Sequence, residues 1–452
     1  MKKDGTIVAQ EMDVIVNAGA YAGGTMSIVW AMSGKYFKNH KTPNLRFHAV
    51  PVYTNTPVAG AMRGFGSPQE FFAQQCQMNK IARDLHISII DMQLKNLVEP
   101  DGFDQRNGQR HGNARPIDCV KKGMELFGWE EAVKEQEESG AAKGRYRIGV
   151  GMAAATHGNG VYGVCPDTTG VILKMNEDGS VVMFTGVSDM GNGSVTTQAQ
   201  AVAQELGISM DRIDCLAADT DVVHWHIGDY SSRGVFVAGS AAKKTAEAMK
   251  RELQVEAAKL LETEPDDIEL HHDRAWSRKN EEKNASLHDV MVHCQSVSMR
   301  ELMVAETYEA KRGATSYGVH IAKVEVNTLT GEVRPLEYAA VHDIGRAINP
   351  LMLKGQLAGA IQMGLGYGLC EDMAYDGDGK PLVQTLKKYK VLRASQMPKL
   401  YMDFVETPQG EPDGPYGAKA LGECPVVPAA PAVVNAICNA VHGEINELPA
   451  GP

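Results

Sequence analysis

Glu423 is the single carboxylate in GAKALGECPVVPAAPAVVNAICNAV (417–441). Pro425, Pro428 and Pro431 punctuate the start of this tract, and AVVNAICNAV is apolar nearly all round, the pattern of a fully buried helix. A carboxylate beside such a surface has its pKa raised by desolvation, while a helix N-terminus and ligand dipoles oppose the rise. Two readings are open at this point. Glu423 is a helix-end acid, or it is a general base in a water-poor pocket.

Other loops carry donors. In NTPVAGAMRGFGSPQEF (55–71), Arg63 precedes a Pro-initiated helix, and Gly64 and Gly66 let main-chain N–H groups approach an anion. SDMGNGSVTTQAQ (188–200) repeats the device. GDYSSRGVFVAGSAA (228–242) repeats it with Ser231, Ser232 and Arg233, and GRAINPLMLKGQLAGAIQMG (345–364) offers Gln356. Each alone is an ordinary glycine-rich helix entry. Four together imply one large, polar, anionic ligand held mostly by main chain. GNGVYG (158–163) matches G-x-G-x-x-G, but loop and strand residues follow instead of a helix, so its glycines are read as a backbone wall. HWH (224–226) is half a metal site at most, with no ligand partner at suitable spacing, and reads as surface or core histidine.

Three segments would position these loops: 2–21, 170–208 and 322–369. Each pairs a hairpin pattern with a glycine-bearing loop, and DG, NEDG and TLTG mark the turns. The DG turn at Asp4–Gly5 leaves no room for a first strand, so the strand after it is expected to pair with another polypeptide. Helical patterns cover about 68–98, 194–206, 238–262 and 428–442. Residues 99–115 and the charged run 130–145 read as a linker, and 271–284 as a solvated turn. Hairpins mixed with helices predict an α+β fold of mixed-sheet units with packed helices, divided into domains at 1–140 and 145–452.

The chain has 452 residues and a net charge of −11, against a nucleic-acid or anionic-membrane surface. Eight scattered cysteines with no C-x-x-C pair give neither a zinc ribbon nor an iron–sulfur ligand run, and fit a reducing cytoplasm. The first residues carry no apolar signal region, and no membrane span is expected.

Taken in order, TNTPVAGAMRGFGSPQ, SDMGNG, YSSRGVFVAG, HDIGRAINPLMLKGQLAGAIQMGLG and GAKALGECP resemble the molybdenum-cofactor subunit of the xanthine dehydrogenase/aldehyde oxidoreductase family. The resemblance implies xanthine oxidase-type molybdopterin-binding domains: the C-terminal half of the first in 1–140 and the second in 145–452. It implies that Arg63, Gly64, Phe65, Met190, Gly191, Asn192, Ser231, Ser232, Arg233, Gln356 and Gly422 bind the cofactor. Phe65, Val161 and Tyr162 would line the substrate pocket. The metal would have no protein ligand, being held by the pterin dithiolene in the cytosine dinucleotide form. Glu423 would take a proton from a metal-bound hydroxyl as an electron-poor carbon, in an N-heterocycle such as a purine or nicotinate-like ring, is hydroxylated with water as oxygen source. Aldehyde oxidation is the alternative activity, and an inactive scaffold the alternative class. Iron–sulfur and FAD subunits would carry the electrons away. A further chain, as in split nicotinate dehydrogenase-like enzymes, would supply the missing N-terminal half. Asn192 stands where many members carry glutamine, and Ala31 roughly where purine-oxidising members carry arginine, which puts a purine substrate in doubt.

Overall fold

In the computed structural model, which describes residues 1–104, 108 and 110–451, two of the three expected hairpins form at their turns. Thr168–Met175 pairs antiparallel with Val181–Thr185 across NEDG, and Ala314–Asn327 pairs antiparallel with Val333–Gly345 across TLTG. The third expectation is corrected. Asp4–Gly5 sits in a tight turn, and the strand Gln10–Gly19 pairs in parallel with Leu45–Tyr53, the Thr25–Tyr36 helix crossing between them. Period-two alternation specifies a strand but not the direction or origin of its partner.

By contacts the described residues form two compact units: Met1–Gly158, Thr315–Pro412 and the chain from Leu421 onward make the first, and Asn159–Ala314 with Asp413–Ala420 the second. The expected boundary between 140 and 145 falls inside the first unit.

The first unit is built on a four-stranded sheet in the order Lys399–Glu406, Val333–Gly345, Ala314–Asn327, Tyr146–Asn159. One face packs on the Pro116–Phe127 helix through Cys119, Val120, Met152, Ile321 and Val341. The other packs on the Pro350–Leu369 and Ala429–Val441 helices through Ala153, Val324, Ile361 and Val433. A sheet covered on both faces reads as continuous apolar sequence, which is why GVGMAAA shows no alternation. Gly149 and Gly151 are dictated by packing: a Cβ there would lie 2.0 Å and 2.2 Å from main-chain atoms of Ala436, so strand and helix backbones touch. The segment 424–441 is long and apolar enough to cross a membrane by composition, and 89% of it is buried inside the protein.

One linker expectation changes. The charged run is the Trp129–Ala141 helix, since Glu, Gln, Lys and Ala favour helix and only Ala132 needs burial. The 99–115 stretch is mostly irregular, and its residues 105–107 and 109, like Pro452, lie outside the described residues. The predicted 68–98 helix divides into Ser67–Asp84 and Ile89–Asn96, separated where His86 takes φ +55°.

The second unit carries a sheet ordered Met303–Glu309, Thr168–Met175, Val181–Thr185, Ile213–Ala217. The Ser194–Leu206 and Ser240–Leu261 helices share its core through Val202, Ala246 and Met249, with Leu173 and Met183 from the strands. The 271–284 turn is corrected to part of a small sheet, Ile268–His271, Arg274–Ser277 and Asn284–Ser286, with the reversal at His272 and Asp273.

Candidate functional site

In the first unit the Ser67–Asp84 helix is entered through three consecutive residues at positive φ: Gly64 (+95°), Phe65 (+46°) and Gly66 (+88°). Glycine tolerates this and phenylalanine does not, so Phe65 is held in a strained conformation. The loop is fixed by the predicted site residues themselves. Arg63 donates from Nε to the Gly422 carbonyl at 2.6 Å and from Nη2 to Gln356 Oε1 at 3.0 Å. Gly64 N–H donates to Glu423 Oε1 at 3.2 Å. Residues roughly 290 and 360 positions apart in sequence thus converge on one carboxylate, whose side chain is 16% exposed.

Glu423 caps a short 3-10 turn, Cys424–Val426, ahead of the buried Ala429–Val441 helix. Two bases that the sequence reading passed over stand close by. His157, at the end of the Tyr146–Asn159 strand, is buried, bonds through Nδ1 to the Gly158 carbonyl, and places Nε2 3.7 Å from Glu423 Oε1. The bond at Nδ1 assigns the proton there, because a carbonyl only accepts, and Nε2 presents its lone pair. Burial, helped by the Lys35 charge, lowers His157 to about 4 against the pull of Glu423, so the ring is neutral at pH 7. Lys35 donates to the Gly64 carbonyl at 2.9 Å and to the Phe65 carbonyl at 3.3 Å. Neither residue stands in a motif; only the long-range fold brings them here.

In the second unit Arg233 is fully buried and its guanidinium is saturated. Nε meets Asp167 Oδ1 at 2.9 Å, Nη1 meets His226 and the Gly228 carbonyl, and Nη2 donates to the Thr168 carbonyl and to Thr169. Asp167 Oδ2 accepts from Val161 N at 2.6 Å, and a Cβ on Gly160 would lie 2.4 Å from that same oxygen. Ser231 exchanges bonds with Gly160 in both directions, at 2.7 and 2.8 Å. Asp229 accepts from His226 and from the Ser188 amide, and Gly234 lies where a Cβ would be 2.6 Å from Ser194 Oγ. The three predicted loops, 158–163, 188–193 and 231–234, are therefore one network.

Within that network Met190 and Tyr162 are exposed, Val161 is half-buried, and Ser231 and Ser232 hold φ near +50°. Asp189 Oδ1 accepts from Gly191 N and shapes the loop, while Asn192 Oδ1 accepts from Ser194 N at the start of its helix. The 231 loop runs into a π-helical turn, Gly234–Gly239, a local irregularity common at functional sites that no sequence pattern announced. HWH resolves as His226, part of the Arg233 network.

Unmet hydrogen-bonding capacity tests whether a large polar ligand fits these residues. Among the described residues, both amide atoms of buried Gln198, one turn into the Ser194–Leu206 helix of the second unit, lack partners. Together with the glycine loops at the helix starts of that unit, this unmet capacity suits a phosphorylated, heteroatom-rich cofactor.

Fold and site thus define an α+β protein in which each unit carries glycine-rich loops at helix starts, the first unit with a part-buried carboxylate beside its own loop. A family model described as molybdopterin cofactor-binding domain matches residues 122–398, and another of the same description matches 1–97. The chain is 30% identical over 457 residues to a putative xanthine dehydrogenase molybdenum-binding subunit of Escherichia coli K12, covering 100% of this chain and 60% of that protein. It is 28% identical over 473 residues to the gamma subunit of the 6-hydroxypseudooxynicotine dehydrogenase complex of Paenarthrobacter nicotinovorans, covering 99% and 58%. Crystalline quinoline 2-oxidoreductase of Pseudomonas putida 86 superposes with a TM-score of 0.92 at 25% identity, covering 100% of this chain and 60% of that one. The chain belongs to the xanthine dehydrogenase/aldehyde oxidoreductase family, in its large, molybdopterin-binding subunit. It spans about 60% of the length of these relatives.

Proposed function

We propose that the chain forms the molybdopterin-binding part of a multisubunit hydroxylase that places a water-derived oxygen on an electron-poor carbon of an N-heterocycle. The carrying observation is the Glu423 carboxylate, fixed by the Gly64 N–H in a mostly buried position beside the Arg63 loop. Bound molybdopterin supplies the metal centre that takes up the electrons. The chain's own groups do the rest. Glu423 accepts the proton released as the oxygen nucleophile forms; its Oε1 accepts from the Gly64 N–H, which orients the carboxylate. Phe65 gives a flat ring an aromatic wall, with Val161 and Tyr162 as further pocket residues. Arg63, Gly422 and Gln356, and the loops of Met190–Asn192 and Ser231–Arg233, hold the pterin, Arg233 acting through the loop it braces.

Relatives named for xanthine, for 6-hydroxypseudooxynicotine and for quinoline support a ring substrate over an aldehyde. The same reading includes a cytosine dinucleotide pterin, iron–sulfur and FAD partner subunits, and a cytoplasmic location. The test is purification of the assembled complex, assay of molybdenum and pterin, and turnover on panels of N-heterocycles and aldehydes. Bound cofactor with heterocycle turnover is expected. Turnover of aldehydes alone would transfer the protein to the alternative activity, and absence of cofactor would make it a scaffold.

A further inference from the structure

Lys35, on the last turn of the Thr25–Tyr36 helix, enters none of the steps above, yet it is half-buried against the loop that carries them. Its Nζ bonds the carbonyls of Gly64 and Phe65, two of the three consecutive residues at positive φ, and lies 5.9 Å from the Phe65 ring centroid. Gly64 in turn donates to Glu423. A strained loop persists only where its surroundings over-determine it, and the Lys35 ammonium is a charged side chain bonded to these carbonyls. We propose that Lys35 is a positioning residue for catalysis: by holding the Gly64 and Phe65 carbonyls it sets both the hydrogen bond to Glu423 and the angle of the Phe65 wall. The inference rests on the reading of Glu423 as the base.

The site is a poor one for a lysine kept only for stability. Burial lowers Lys35 from its ordinary value to about 8, with Lys38 adding to the effect and Glu423, Glu70 and Cys424 opposing it. His157 feels the Lys35 charge from the neighbouring strand. Glu70 is itself fully buried, with both oxygens lacking hydrogen-bond partners among the described residues and its carboxyl pushed well up by burial. A neutral, apolar side chain of the same length would sit here with less desolvation cost.

The test compares Lys35→Met and Lys35→Arg with the unaltered protein. In the assembled enzyme Lys35→Met is expected to lower kcat/KM about tenfold or more, the scale of a small misplacement of reacting groups, at unchanged molybdenum content. Lys35→Arg recovers part of the loss. In the chain itself Lys35→Met is expected to be at least as stable to denaturant at pH 7, while trypsin cuts faster after Arg63 because the loop has lost its tether. The sign with pH follows: the folded-state value near 8 lies below the unfolded 10.5, so the unfolded chain binds the proton more tightly between them. The unaltered protein therefore gains stability relative to Lys35→Met as pH rises through that window. Unchanged kcat/KM and unchanged tryptic cleavage in Lys35→Met would overturn the proposal. So would a loss of activity matched by loss of stability. An active Glu423→Gln enzyme would instead overturn the underlying reading, which keeps the two failures apart.

Discussion

Arg63 and Arg233 both sit in glycine-rich loops ahead of helices, and from sequence they look like the same device used twice. Their surroundings differ. Arg63 is half-buried and spends Nε and Nη2 on Gly422 and Gln356, with no bond from Nη1 among the described residues; Arg233 is fully buried and has every nitrogen engaged by its own unit. The carboxylates follow suit. Glu423 remains 16% exposed and accepts from the Gly64 N–H, whereas Asp167 is buried between Arg233 and the Val161 amide. On the proposed function, the contrast separates the carboxylate that would take the proton from one consumed in holding a loop in shape.

The strongest way to break that contrast is to remove each carboxylate or its partner. Glu423→Gln keeps the shape and loses the base, so turnover of the assembled enzyme is expected to fall about 10^3-fold, roughly 4 kcal/mol of barrier, with molybdenum content and denaturation midpoint unchanged. Equal turnover would reduce Glu423 to a helix-end acid. Arg233→Met should do the reverse. Stranding Asp167 as an uncompensated buried charge is expected to cost about 3 kcal/mol of stability, read as a lower urea midpoint and loss of cofactor with it. A stable Arg233→Met protein that binds cofactor normally would erase the distinction between the two arginines.

How much of this was legible in the sequence follows from range. Turn chemistry is local, so NEDG and TLTG located two hairpins, and the apolar AVVNAICNAV run located a buried helix next to Glu423. The Asp4–Gly5 turn misled because hairpin logic assumes the partner strand lies just upstream, while the actual partner is the downstream Leu45–Tyr53 strand in parallel register. The charged 130–145 run misled because solvated helices and linkers share a composition. In the site, the loops were readable from glycines, but His157 and Lys35 were not. Each is a lone basic residue whose meaning depends on contacts with residues far along the chain. Arg233 was visible as a donor, yet its saturation by Asp167 and His226 was invisible without the fold.

The units should also differ in acid. Burial lowers His40 and His157 to about 4 and His342 to about 3, all in the first unit, with His320 also held well down by burial and by His342. Below the unfolded value of 6.5 the unfolded chain takes up protons that these folded rings refuse, so their contribution is present above pH 6.5 and lost as pH falls toward 4. For His40 or His157 alone the loss is about 3 kcal/mol at most. Hydrogen exchange followed by peptide from pH 7 to pH 4.5 is expected to show the sheet of the first unit opening before that of the second, and His40→Gln should reduce the slope. Opening in the opposite order would show that other groups control acid sensitivity.

The finest distinction is geometric. Lysine keeps the positive charge of arginine but not its planar fork, and Arg63 uses two separate guanidinium nitrogens to bind a carbonyl and an amide oxygen from different segments. Arg63→Lys can reach Gly422 or Gln356 but not both in the same alignment, so the loop that carries Gly64 is released by one contact. The expected loss in kcat/KM is about tenfold, close to 1.4 kcal/mol, with stability changed by less than about 1 kcal/mol because the side chain is only partly buried. Arg233→Lys, where every nitrogen has a buried partner, should show the opposite balance: a clear fall in the urea midpoint and, in whatever protein remains folded, kcat/KM near that of the unaltered enzyme. If both lysine variants lost activity and stability in the same proportion, the two arginines would be doing one job, and the division between an available site and a braced one would not hold.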